Sequence, residues 1–179
     1  MALSFWKAYP SRIKRILAIV VFFVVSLIVT IAGVLTPLSL EEANSLNQEI
    51  KQMQENINMQ FIFGNNFMIC LGMFVPFAGP VFGFYAFYST GVLIAAYSIA
   101  NGLPPLMNFL SLLIFPVFWL EFLAYSVAMA ESVWLTWRII QHRGRNELVK
   151  TCIFISICAV ILLVAAIIEI ALIAMFMPG

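Results

Sequence analysis

The sequence predicts an all-α, polytopic bundle of transmembrane helices, and three observations carry that prediction. Hydrophobic residues make up 64% of the 179 and charged residues only 9%, whereas about a quarter of a soluble domain is charged. The apolar residues fall into runs of bilayer-crossing length. Eight of the nine Lys and Arg sit in two short segments flanking those runs. A water-facing surface would need polar groups that the chain does not possess, so we read residues 1–179 as one membrane domain of about five spans.

The first span is expected at 16–35, close to the about 20 residues that cross a hydrocarbon core. Lys7, Arg12, Lys14 and Arg15 precede it, and by the positive-inside rule they hold the N-terminus in the cytoplasm; Trp6 and Tyr9 stand where interfacial aromatics are common. The run is too long for the apolar region of a signal peptide and further spans follow, so it reads as a retained anchor.

An outer amphipathic helix is expected at 39–61. Ser39, Leu40, Glu41 and Glu42 form a capping-box pattern, and Ala43, Leu46, Ile50, Met53, Ile57 and Phe61 recur at alternating spacings of three and four. Leu46, Ile50, Met53 and Ile57 are the expected partner-binding stripe. The net negative polar face of Glu41, Glu42, Glu49 and Glu55 against Lys51 suits a protein partner better than anionic lipid.

Three crossings are expected between Asn65 and Arg138, at 61–78, 80–100 and 106–138, with the last interrupted at Pro116. An odd number returns the chain to the cytoplasm at the second basic cluster, Arg138, Arg143, Arg145 and Lys150. Pro76 and Pro80 flank one turn, and Pro104, Pro105 and Pro116 punctuate the long stretch, so a half-helix over about 106–114 is expected to precede a full span over 117–138. The fifth span, 151–176, leaves the C-terminus outside.

The inventory argues against several functions. The basic residues flank apolar runs and form no patch for nucleic acid. Cys70, Cys152 and Cys158 have no disulfide or metal spacing, and with His142 the lone histidine the ligands for haem, copper or zinc are lacking. No phosphate loop or Ser–His pair is apparent, so we expect no enzyme, no catalytic residue, no cofactor and no metal.

What remains are acids in apolar surroundings, which at membrane depth mark functional sites by default. Glu121 lies just beyond the break at Pro116, where discontinuous helices gather ion and substrate sites, and a functional and a structural role stand level there. Glu131 and Arg138 are seven apart on one helical face and could pair there, and a structural ion pair or a snorkelling anchor is the favoured reading. Glu169 is read as structural. The aromatic run from Phe74 to Tyr88 reads as core or lipid contact, and the small residues at Gly79, Gly83, Gly91, Ala95, Ala124, Ala128 and Ser132 as close helix packing, with self-association as a further use.

Three segments carry a family resemblance: FGNNFMICLGMF (63–74), with the pair Asn65 and Asn66; FAGPVFGFYAFYSTGVLIAA (77–96); and IFPVFWLEFLAYSVAMA (114–130), with Glu121. They resemble the stage II sporulation protein M family of bacterial and archaeal membrane proteins, with Val117 and Phe118 where that family commonly has His and Gly, and Ser89 and Thr90 where it has an Asn before the glycine. The resemblance carries Glu121, Asn65 and Asn66 over as family positions. It implies a role like that of the spore-formers' member, which helps to assemble peptidoglycan-degrading partners. The expected function is therefore a non-enzymatic scaffold in the cell membrane, contacting lipid and other membrane or envelope proteins. A transporter or channel component with a site near Glu121 is the alternative, and an accessory subunit of a larger complex the third.

Overall fold

The computed structural model describes residues 11–54, 58–142 and 144–176, and among them every regular element is a helix. We label these α1 (Ser11–Val34), α2 (Leu40–Gln54), α3 (Met59–Met73), α4 (Gly79–Ala100), α5 (Pro105–Leu112), α6 (Pro116–Ile140) and α7 (Gly144–Phe176). Within α1, α4 and α7, the stretches Ile13–Val34, Gly79–Ala100 and Glu147–Met175 are long and apolar enough to cross a membrane. Helices α5 and α6 meet at 85°, and counted together as one bent span they raise the number to four. This is a multi-pass helical architecture compatible with a membrane.

The core is organised around α6. Every residue from Ala124 to Ser132 is buried, because α1, α3, α4 and α7 all pack against this helix. Its small side chains, Ala124, Ala128 and Ala130, let the neighbours approach closely, which matters where helix association depends on van der Waals packing rather than on escape from water. Contacts along the bundle set directions. Arg15 reaches Glu131 while Phe23 stacks on Trp119, so α1 runs antiparallel to α6. Phe87 meets Phe122 and Tyr125, and the Phe77 N–H just before α4 donates to Thr136, so α4 is antiparallel to α6 as well. Asn66 bonds Glu121 and the Ser132 hydroxyl donates to the Val75 carbonyl, so α3 runs parallel to α6. With α7 returning from the loop after Ile140, the helices α1, α3, α4, α6 and α7 alternate in direction.

Helices α1 and α4 cross where Gly33 and Gly91 face each other. A Cβ on Gly91 would stand 2.9 Å from the Gly33 Cα and would run into the Thr30 carbonyl oxygen. Only the missing side chains allow the backbones this close.

Several expected boundaries move. The outer helix expected as one piece over 39–61 is α2 alone within the described residues. The box at its start forms as expected: the Ser39 N–H donates to Glu42 Oε2 at 2.8 Å, and the Glu42 N–H donates to Ser39 Oγ at 3.2 Å. Phe61 belongs instead to α3, whose N-cap Asn58 accepts the Phe61 N–H through its side chain at 2.8 Å. The span expected at 61–78 stops at Met73. Pro76 disfavours helical geometry at Val75 and lacks an N–H of its own, and Phe77 takes a positive φ of 65°. The resulting helix of 15 residues is about 22 Å long against a hydrocarbon core of about 30 Å. Helix α7 begins at Gly144 rather than at Thr151.

Candidate functional site

Glu121 sits near the start of α6, five residues and about one and a half turns beyond Pro116. The proline occupies the first helical position, where its missing N–H leaves no bond unmade. Asn66, in the middle of α3, donates from Nδ2 to Glu121 Oε1 at 2.6 Å, a short bond across 55 residues of sequence. Asn65 is one residue, and hence about 100°, around the same helix; it is exposed and reaches no acid, though it lines the neighbouring space.

Two cavities border Glu121. One, of about 420 Å³, opens between α3, α4 and α6, with Asn65, Asn66, Ser89 and Tyr125 among its walls. The other, of about 520 Å³, lies between α4, α6, α7 and the segment joining α5 to α6, and Glu169 of α7 lines it. Glu121, Phe122 and Thr90 belong to both walls. The acid therefore stands at the divide between two spaces, bonded through one oxygen to Asn66, while its other oxygen makes no hydrogen bond among the described residues. A carboxyl so placed must hold a proton or face a cation, because an ionised carboxylate in apolar surroundings is costly without a counter-charge.

A second polar cluster closes the opposite end of α6. Glu131 is fully buried and accepts from Arg15 Nη1 through both oxygens, at 3.0 and 2.7 Å. The expected partner, Arg138, is not the one it has. Arg138 lies instead with its Nε 3.7 Å from Glu147 Oε2, and Lys150 Nζ is 3.5 Å from the same oxygen. Arg15 Nη2 also pairs with Glu147, and the guanidinium lies over the rings of Trp134 and Phe154. Arg15 thus ties α1 to α6 and α7 at once. Glu147 was not among the residues singled out from sequence; the signal was its place as the single acid inside the second basic cluster, between Arg145 and Lys150, in the first turn of a helix.

The expected outer stripe is partly covered by the chain itself. Helix α2 packs on α4, burying Ala43 and Asn47 and leaving Leu46 and Ile50 half-buried. The side chain of Met53, and all of Ile57, lie outside the described residues. Among the described residues no group of three or more His, Cys, Asp or Glu stands where it could hold a metal ion.

Comparison with protein-family models, curated proteins and solved structures finds no match to this chain. The resemblance to the stage II sporulation protein M family rests on its three segments alone.

Proposed function

We propose that the chain is a five-crossing protein of the cell membrane, with its N-terminus in the cytoplasm, that works as a transporter or channel component with Glu121 as the working group. One observation carries this reading: a carboxyl bonded, among the described residues, only to Asn66 stands between two cavities. Ion and substrate sites in membrane proteins recur beside broken helices of this kind, and α5 leads into α6 through an 85° bend just before Glu121. The alternating directions of α1, α3, α4, α6 and α7 support five crossings. In this reading α3 is a short span, completed by the turn that precedes α4. The basic residues at the Arg15 end of the bundle support a cytoplasmic face there.

The test is reconstitution of the purified chain in liposomes, with proton and alkali-cation flux measured under an imposed potential. Flux by the chain alone that falls to background in Glu121→Gln supports the proposal. No flux, or equal flux in a variant that remains folded, defeats it.

The scaffold reading keeps one specific support. Glu41, Glu42 and Glu49 are exposed on α2, and Leu46 and Ile50 of the same helix are only partly covered, a surface that a protein partner would complete. It is also the role that the family resemblance implies, and an accessory subunit would use the same face. Leu46→Ser with Ile50→Ser would then strip co-purifying partners from a chain that still inserts and runs as one species in detergent.

A further inference from the structure

The larger cavity beside Glu121 has a lining that selects for a chemical class. Apart from Thr90 and the two acids, Glu121 and Glu169, its walls are apolar, and they include Phe115, Phe118 and Phe122. Glu169 makes no hydrogen bond or ion pair among the described residues, and no Lys, Arg or His reaches the lining. An inorganic cation would find two carboxyls but too few other oxygens to replace its hydration shell. A neutral apolar molecule would leave both acids without a partner. At about 520 Å³ the space is in the range that holds drug-sized ligands.

We infer that this cavity binds an organic cation with an apolar body, its charge between Glu121 and Glu169 and its hydrocarbon surface against the phenylalanine rings. Ring faces attract cations through their quadrupole, most strongly where water is excluded, and the two carboxyls supply the counter-charge. Thr90, on the side toward α4, gives one further hydroxyl. This deepens the transport reading and rests on it for the role of Glu121, but binding is a separate property and can be measured separately.

The probe is tritiated tetraphenylphosphonium, equilibrated with the full chain in nanodiscs of zwitterionic lipid and corrected for empty discs. We expect saturable binding of one cation per chain, weakened about tenfold or more by Glu121→Gln and by Glu169→Gln, the loss of one charge-assisted contact. Leu172→Trp, which fills the cavity while both acids remain, removes binding even if an acid variant folds poorly. Uncharged triphenylphosphine oxide does not displace the probe. Absence of saturable binding, binding unchanged in both acid variants, or equal displacement by the neutral compound overturns the inference and makes the space an apolar groove for lipid. If Glu121-dependent flux of inorganic cations persists without phosphonium binding, the ligand class falls and the transport reading stands. Phosphonium binding without any flux has the opposite meaning.

Discussion

Replacing Arg15 by Ala should be the most damaging single change at the end of the bundle where Arg15, Glu131 and Glu147 meet, and the size follows from what each acid keeps. Glu131 is 0% exposed and Arg15 14%, and Arg15 is the only cation paired with Glu131 among the described residues. Removing one partner of a buried pair costs about 3–5 kcal/mol, because the other charge stays buried and uncompensated. Glu147 is not stranded in the same way, since Arg138 and Lys150 remain at 3.7 and 3.5 Å. The reverse change, Glu131→Gln, leaves Arg15 with Glu147 and two ring faces, and the amide oxygen still accepts one bond. Its expected cost is about 1–2 kcal/mol. Replacing both partners, Arg15→Met with Glu131→Leu, should recover most of the loss, because apolar pairs of similar volume often match buried ion pairs. Helicity followed against the mole fraction of SDS in mild detergent gives the three values. An Arg15→Ala cost no larger than that of Glu131→Gln, or a double variant as unstable as Arg15→Ala, would refute the assignment of Arg15 as the counter-charge of Glu131.

Three further expectations test other parts of the fold. Gly91→Ala should destabilise by about 1–3 kcal/mol because its Cβ meets the backbone of α1, whereas Gly64→Ala, with nothing within 4 Å, should stabilise α3 by about 0.5–1 kcal/mol; thermal unfolding in detergent separates the two. In a Cys152→Ser background, a cysteine at Gln52 should react with an impermeant thiol reagent in whole cells and one at Arg145 should not, and the opposite pattern would invert the topology. The Ser39 backbone N–H, and after it the Ser39 hydroxyl, hold the Glu42 carboxyl below its ordinary range. The cap is therefore complete above that range and is lost as pH falls through the lowered value, so the protection factors of the amides at the start of α2, taken relative to the unstructured rate at each pH, should fall on acidification, and in Ser39→Ala at neutral pH.

The sequence made the helical class and the Ser39 cap legible, because these are local properties of composition and spacing. It also named Glu121 and Asn66, though not their contact, since nothing local links positions 55 apart. The pairing of Glu131 failed for the same reason. A spacing of seven does put Arg138 on the same helical face, but a hydrogen-bonded pair across helices competes, and Arg15 lies 116 residues away. Arg15 read only as a topological charge, and α3 read as longer than it is because an apolar run continues through Pro76 into the turn. The outer stripe was visible as a stripe, but its spacing gave no sign that α4 covers part of it.

Two glutamates ten residues apart on α6 meet opposite fates, and the contrast locates function better than either does alone. At about 1.5 Å per residue they are about 15 Å apart along the helix. Glu131 is enclosed by packed helices and neutralised by a guanidinium that also serves Glu147. Its charge is complete within the protein, so it has nothing left to offer a ligand. Glu121 sits on the same helix beyond the fully buried stretch, where a single amide meets one oxygen and two cavities border the group. A carboxyl needed only for structure would be expected to find a partner as Glu131 does, since an unmatched acid in apolar surroundings destabilises the fold. Glu121 has the Asn66 amide but no counter-charge among the described residues, and Glu169 beside it has none either; a cationic ligand, as proposed above, would supply what both acids lack.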